Sequence, residues 1–323
     1  MSSAPGASVD PPIRVGVSSC LLGESVRYDG GHKRDAYLRE VLGRFVDWVP
    51  VCPELESGLG VPRPPMRLVR DGDGVRLVEI ESGADHTRAV ARWASGRLRS
   101  LRTLALCGYI LKKDSPSCGM ERVKVYSEGM PERNGIGIYA RALREAFPNL
   151  PVEEEGRLRD PELRENFIER VFAYARLRAL FRGRVSPGRL VAFHTAHKLQ
   201  LMAHSPVAYR ELGRWVADLS RTPRAGFRER YAADFMSALA RIATRGRNAN
   251  VLQHCAGHLK RALPSGSRAE LAALIDDYRR GLVPLVVPIT LLRHHTREHG
   301  IGYLAGQTYL EPHPKELMLR NHG

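Results

Sequence analysis

The apolar residues of this chain change their spacing once, near residue 157, and that single change sets the fold class on either side of it. Before it, short apolar runs at 13–18, 49–51, 103–107, 123–126 and 151–155 read as strands. They are separated by stretches with three- and four-residue spacing at 33–46, 82–101 and 137–143 that read as helices. A hairpin is expected where 67–69 and 75–80 flank Asp71-Gly72-Asp73-Gly74, and a long loop is expected over 108–121. Pro62-Arg63-Pro64-Pro65 reads as an extended stretch, because each proline fixes its own φ and restricts the residue before it. Alternating strands and helices predict an α/β domain with a mainly parallel sheet, whose ligands sit beyond the carboxyl ends of the strands. After it, helical spacing is unbroken at 167–181, 190–203, 209–219, 231–243, 251–263 and 269–282, with Ser-Pro and Thr-Pro breaks between segments. This predicts an all-α domain. Asp160-Pro161-Glu162 carries a helix-start signature, so the expected domains are 1–157 and 158–323.

Charge divides at the same place. Residues 1–157 hold 23 basic and 21 acidic side chains, whereas 158–323 hold 27 and 14, a net of +13 in the helical half alone. That excess, mostly arginine, is the electrostatic footprint of a polyanion partner such as nucleic acid. No apolar run reaches the ~18 residues of a membrane span, and the opening residues lack the pattern of an export signal, so a cytoplasmic protein without a membrane partner is expected. The odd cysteine number of five argues for reduced thiols rather than a disulfide framework.

Three of those thiols share a setting. Cys20, Cys52 and Cys118 each follow an expected strand and sit among Gly, Pro and Ser, where core packing gives no reason for a thiol. Cys107 ends an apolar run and Cys255 lies on an expected helix, so both are assigned to cores. Three converging thiolates form a soft donor set, suited to zinc or an iron–sulfur cluster rather than magnesium or calcium. Four-iron clusters ordinarily take four cysteines, so three would leave one iron open to a soft donor such as sulfur.

The motifs Cys20-Leu21-Leu22-Gly23, Arg27-Tyr28-Asp29-Gly30-Gly31, Val51-Cys52-Pro53-Glu54, Pro62-Arg63-Pro64-Pro65 and Ser115-Pro116-Ser117-Cys118-Gly119 together resemble those of the TudS thiouracil desulfidases. The helical half, with Phe193-His194-Thr195-Ala196-His197-Lys198 and Leu201-Met202-Ala203-His204-Ser205-Pro206, resembles the YbgA-like domain. This order matches the fused RudS type, a family of desulfidases that act on 4-thiouridine in transfer RNA. The resemblance implies a 4Fe-4S cluster on Cys20, Cys52 and Cys118 with its fourth iron free for the substrate's sulfur. It also implies chemical roles for Glu54 and for a serine of the 115–117 turn. Val26 stands where many relatives carry a further cysteine, and Met66-Arg67 replaces an Ala-acidic pair, which implies an altered substrate pocket.

The residues themselves support such chemistry. A thiocarbonyl carbon yields to water once its sulfur is polarised by a Lewis acid, and Glu54, two residues from Cys52, is placed to act as base. Its structural alternative is a loop carboxylate paired with an arginine. Ser115 and Ser117 are donors toward the site or, alternatively, builders of the turn. Arg27, Tyr28, Asp29, Lys113 and Asp114 are expected to bind substrate. In the helical half, Lys198, Arg221, Arg224, Arg228, Arg230 and Lys260 are the expected RNA contacts, joined by Arg247, Asn248 and Arg261. Phe227 and Tyr231 either stack an unpaired base or belong to the core. Ten of the twelve histidines lie beyond residue 190, and the spaced pairs His194/His197 and His254/His258 read as core or phosphate contacts before metal ligands. Two other functions stay open at this point: a desulfidase of free thiouracil or thionucleotides, and a non-catalytic metal-containing sensor of nucleic acid.

Overall fold

The computed structural model describes residues 12–183, 185–219 and 226–322. The chain divides into two compact units, Met1–Arg159 and Asp160–Gly323.

The first unit contains, in order, β1 (Arg14–Ser18), β2 (Asp47–Val51), β3 (Met66–Asp71), β4 (Gly74–Glu79), α1 (Thr87–Thr103), β5 (Gly108–Leu111), β6 (Val123–Tyr126), β7 (Glu132–Gly135), α2 (Ile138–Ala146) and β8 (Val152–Glu154). It is an α/β unit, but its strands form two sheets rather than one mainly parallel sheet. The first, ordered β2-β1-β5-β8, is parallel throughout. In the second, ordered β4-β3-β6-β7, only the β3–β6 pair is parallel. The expected hairpin is β3–β4, with Asp71 opposite Gly74. Strand β7 has no apolar signature, because Glu132, Arg133 and Asn134 are exposed and polar, as an edge strand allows.

Two further elements depart from local propensity. The strand expected at 103–107 is occupied by the end of α1 and a turn with Ala105 at φ 58°, while the fully buried Gly108–Leu111 pairs with β1 instead. The buried stripe Val90, Ala94, Leu98 and Leu101 carries α1 as far as Thr103, and with β5 running to Leu111 the expected loop begins only at Lys112. The helix expected over 33–46 is a wide turn at Tyr37–Val41 and then a tight one at Leu42–Arg44. The Val61–Pro62 peptide is cis.

Close backbone approach shapes the first sheet. A Cβ on Gly16 of β1 would fall 2.2 Å from the ring of Tyr109 on β5, so only glycine admits that buried tyrosine there. The hydroxyl of Tyr139 on α2 donates to that of Tyr109 at 3.1 Å, tying α2 to the strand.

The second unit is all-α: α3 (Pro161–Phe181), α4 (Pro187–His204), α5 (Pro206–Ala217), α6 (Phe227–Leu239), α7 (Arg245–Leu259), α8 (Ser265–Arg280), α9 (Val286–Glu298) and the single turn α10 (Gly302–Ala305). Three helices begin with proline after a capping residue, Asp160, Ser186 or Ser205, whose side chain accepts from first-turn amides, and Thr244 caps α7 likewise. Helix α9 lacks a clean apolar period, because its inward face continues from Pro288, Ile289 and Leu292 into the buried polar residues His295 and Thr296. No helix among the described residues is long and apolar enough to cross a membrane.

Helices α3 to α6 share one core containing Leu177, Leu201, Leu212, Tyr231 and Phe235, and helices α7 to α9 pack around Leu252, Cys255, Leu271 and Leu292. The unit also holds buried polar structure. His194 shares a hydrogen bond with the Tyr231 hydroxyl at 3.0 Å, and His197 Nδ1 donates to the Phe193 carbonyl at 2.7 Å. Burial, reinforced by Lys198, pushes His194 down to about 4; burial, reinforced by Arg176, pushes His197 down to about 3. Burial works against the charge on Glu169, but His204 and Arg320 hold its carboxyl below the ordinary range. Burial likewise opposes the charge on His204, yet Glu169 raises it above the usual imidazole value.

These directions define a pH window. A histidine whose folded pKa lies below its unfolded value of 6.5 contributes stability that is complete above pH 6.5 and is lost as pH falls. Below pH 6.5 the raised His204 is protonated in both states, and above 4.5 the lowered Glu169 is ionised in both, so neither adds slope between these limits. Thermal unfolding is therefore expected to show a falling Tm for the helical unit from pH 6.5 to 4.5. Replacing His197 with Gln should flatten that decline, and an unchanged slope in H197Q would contradict the assignment.

Candidate active site

Parallel pairing brings three thiols together. Ser18 at the end of β1 lies opposite Val51 at the end of β2, and Val17 lies opposite Ile110 of β5. The three strands therefore finish side by side, and the loops leaving them carry Cys20, Cys52 and Cys118. All three line one cavity of about 410 Å³. Each is a free thiol. Burial pushes Cys20 up to about 11, with Cys52 adding to the rise while Lys112 and Arg27 oppose it. Burial raises Cys52 as well, partly offset by the Leu55 amide, and raises Cys118 well above the ordinary thiol range, against a hydrogen bond with Ser18.

The Cys118 turn is held from both sides. Ser115 Oγ accepts from the amides of Ser117 at 3.2 Å and Cys118 at 3.1 Å, closing the turn. On the other side, the first amides of α2 donate to the turn: Ile138 to the Pro116 carbonyl at 3.2 Å and Tyr139 to the Ser117 carbonyl at 3.0 Å. This contact requires Gly137, since a Cβ there would lie 2.4 Å from the Ser117 oxygen and 2.9 Å from the Cys118 nitrogen.

Glu54 sits on the cavity wall with both carboxylate oxygens engaged. Ser117 Oγ, fully buried, donates to Oε1 at 2.8 Å. Arg63 donates to Oε2 through Nε at 3.0 Å and again through Nη2. Arg63 also donates through Nη1 to the Gly60 carbonyl at 2.8 Å and through Nη2 to the Val26 carbonyl at 3.0 Å, so four of its five N–H groups are engaged. The two serines thus differ: Ser115 builds the turn, and Ser117 orients the carboxylate. Arg63, only 8% exposed, is legible in sequence as an element of a proline-rich stretch but not as a partner of Glu54, because the pairing spans a loop whose path local sequence does not reveal. Ser18, whose Oγ accepts from the Lys112 amide at 3.0 Å, and Lys33 also line the cavity, although no motif points to either.

The fused arrangement has relatives for each half. Residues 15–155 match the family described as 2-thiouracil desulfurase, and residues 198–314 match a family described as a protein of unknown function, DUF1722. The uncharacterized protein YbbK of Bacillus subtilis (strain 168) is 30% identical over 144 residues, covering 43% of this chain and 95% of that protein. The uncharacterized protein YbgA of Escherichia coli (strain K12) is 34% identical over 160 residues, covering 49% of this chain and 95% of that protein. The chain belongs to the 2-thiouracil desulfurase family, with a YbgA-like helical unit fused behind it. It is an enzyme of that desulfidase family. Among solved structures, the 4Fe-4S-dependent thiouracil desulfidase TudS shares 35% identity at a TM-score of 0.39, over 47% of this chain and 96% of that one.

Around the desulfurase-family cavity, Arg27, Tyr28, Lys112, Lys113 and Asp114 line the wall. Tyr28 is 42% exposed with the Arg27 guanidinium 5.3 Å from its ring centre. Asp29 is not among the lining residues; its Oδ1 accepts from the Gly31 amide at 3.0 Å and pairs with Arg27 at 3.4 Å. Asp114 is exposed at φ 58° and pairs with Lys113 and Arg133, both at 3.5 Å. Cys107 and Cys255 are buried away from this cavity, the latter within the helical core.

In the YbgA-like unit, Arg221 and Arg224 lie outside the described residues. Arg228 and Lys260 are exposed, Lys198 is half-buried, and Arg230 stacks over Trp215 at 4.0 Å. Tyr231 is fully buried with Phe227 stacked on it, so the aromatic pair belongs to the core rather than to a base-stacking surface. Asn248 is also a core residue, accepting from the Tyr309 hydroxyl at 3.0 Å, and Arg247 donates to the His204 carbonyl at 2.9 Å.

Replacing Glu54 with Ala would strand the buried Arg63 guanidinium, and the expected destabilisation is about 3 kcal/mol in urea unfolding. Ser117→Ala, which removes one hydrogen bond to the carboxylate, should cost about 1–2 kcal/mol. Gly137→Ala forces the turn and helix apart and should cost about 1–3 kcal/mol. Equal stability of E54A and the parent chain would show that the ion pair does not form in solution.

Proposed function

We propose that this chain removes the C4 sulfur of 4-thiouridine in transfer RNA, giving uridine and sulfide, at the cavity shared by Cys20, Cys52 and Cys118. The observation that carries the reading is the convergence of three free thiols on one cavity whose wall holds an oriented carboxylate. The donor set fits an iron–sulfur cluster of the 4Fe-4S type held by those three cysteines: the thiols are soft, grouped and unpaired, and the lining includes no fourth cysteine. When bound, such a cluster supplies a Lewis-acidic iron with an open position for a soft sulfur ligand.

The chain's own residues provide the rest. Ser117 and Arg63 fix the Glu54 carboxylate in one orientation, leaving lone-pair capacity on Oε1 to take a proton from water. Water supplies the oxygen of the new C4–O bond, the C4–S bond breaks, and the protons and sulfur leave together as hydrogen sulfide with no change of oxidation state. The cavity volume is that of a nucleobase-sized site, and Arg27, Lys33 and Lys113 on its wall suit a phosphorylated substrate. Tyr28 offers a ring face for stacking a base drawn out of the RNA. The +13 charge of the helical half supports a nucleic-acid partner, with Lys198, Arg228, Arg230 and Lys260 as contacts.

Nucleoside mass spectrometry of thiolated transfer RNA, before and after incubation with anaerobically reconstituted protein, tests the reading. The expected result is loss of 4-thiouridine matched by a gain of uridine. Glu54→Gln should slow the conversion by about 10²–10⁴-fold. Cys118→Ala should abolish both conversion and iron retention. Conversion of free thiouracil with thiolated RNA left intact would replace the RNA substrate by the small one. Protein carrying zinc without iron or sulfide would overturn the cluster.

A further inference from the structure

The C-terminal end of α9 gathers three histidines around one carboxylate oxygen. Glu298 Oε2 lies 3.2 Å from His295 Nδ1, 3.4 Å from His294 Nε2 and 3.6 Å from His299 Nε2. The ligand atoms of His294, His295 and Glu298 all lie within 4.8 Å of one another. No other group of three or more histidine, cysteine or acidic side chains among the described residues is as tight.

Those spacings suit a shared ion. Zinc binds imidazole nitrogen and carboxylate oxygen at about 2.0–2.1 Å, so two ligand atoms on one tetrahedral ion lie about 3.3–3.4 Å apart. The Glu298–His294 and Glu298–His295 separations fall within about 0.2 Å of that edge length. We propose that His294, His295 and Glu298 form a binding site for one divalent transition-metal ion, of which zinc is the representative, separate from the cysteine cavity of the first unit. Water fills the fourth position, and His299, beside the same oxygen, lies next to that water.

Several features favour a cation here. The last turn of a helix presents free carbonyls and the negative end of its dipole, and the site occupies that turn of α9. Imidazole with carboxylate selects zinc, nickel or copper over magnesium and calcium. Of the flanking arginines, Arg293 is paired with Glu311, which removes one competitor for the Glu298 carboxylate. His295 is anchored: its side chain is 10% exposed, whereas the side chains of His294 and Glu298 are open to solvent at 60% and 51%, so an ion can enter without unfolding the helix. With Nδ1 facing Glu298, ligation leaves the hydrogen of His295 on Nε2. The other histidine pair, His254 and His258 on α7, brings its Nε2 atoms to 3.4 Å but adds no third donor. Bound metal would staple the end of α9 to itself just before the turn into α10, a structural rather than catalytic role.

Zinc binding to the full-length chain tests the site, by equilibrium dialysis with metal analysis and by thermal unfolding with and without zinc. Any zinc held at the cysteine cavity would be the same in every variant compared, because none of these substitutions touches it, so the difference between variants isolates the α9 site. Wild-type protein should bind one equivalent more than Glu298→Gln or His294→Ala, whose altered side chains are solvent-exposed and leave the metal-free Tm unchanged. At about a hundredfold excess over Kd, zinc should raise the wild-type Tm by about 5 °C more than that of E298Q. His258→Ala should behave as wild type. X-ray absorption at the zinc edge of a cysteine-substituted chain (Cys20, Cys52 and Cys118 each to Ser) should show imidazole and oxygen neighbours. Equal stoichiometry and equal Tm response in wild type and E298Q would overturn the proposal, as would loss of the extra equivalent in H258A instead.

Discussion

The parallel ladder β2-β1-β5 is the constraint on which the rest of the first unit depends. Parallel strands all end at the same edge, so the loop leaving each of them is delivered to a common place. Here all three of those loops bear a cysteine. Residues 20, 52 and 118 are far apart in the chain, yet the ladder makes them neighbours, and the Ser117–Glu54 hydrogen bond then ties the third loop to the second. The close approach of Tyr109 over Gly16 belongs to the same design, because it seats β5 against β1 and so sets the third loop beside the first.

The ladder brings the loops together, and their chemistry is then fixed by hydrogen bonds that local sequence suggests only in part. Glu54 is held at both oxygens by Ser117 and Arg63, and a carboxylate so held has few orientations left to lose when substrate arrives. Burial of three thiols is unfavourable for their charged forms, and the cationic side chains of Lys112 and Arg27 offset that in part for Cys20. A site assembled this way favours a cationic occupant that stabilises the thiolates.

The helical unit distributes its polar residues differently. His194, His197, His204, Glu169 and Gln200 are buried and mostly answer one another or the backbone, which is why histidine spacing along α4 gives no metal site. The carboxylate of Glu169 accepts from Gln200 at 2.7 Å and faces His204 at 3.4 Å, satisfying charge inside the bundle. Several arginines are similarly absorbed: Arg247 by the His204 carbonyl at the end of α4, Arg320 by Glu165 and the Tyr309 carbonyl. Net charge therefore overstates the number of cations free to meet a polyanion, and among the described residues Arg228, Arg230, Lys260 and Arg261 are the expected contacts that lie exposed.

Much of this protein is legible in its amino-acid sequence. The shift from alternating strands and helices to unbroken helical spacing separates α/β from all-α, since side-chain period is a local property of backbone geometry. Proline after Asp or Ser marks helix starts for the same local reason. The motif order singles out Cys20, Cys52, Cys118 and Glu54. Local patterns fail where a partner distant in sequence decides the outcome: the polar edge strand β7, the displacement of β5 to Gly108–Leu111, and α9, whose buried face continues through His295 and Thr296. Sequence by itself determined the fold classes, the boundary region and the thiols worth watching. Only tertiary structure decided that Arg63 belongs to Glu54, that Ser117 rather than Ser115 touches it, and that Tyr231 lies in the core. Those outcomes rest on contacts between residues far apart along the chain, and such contacts exist only once the chain has closed on itself.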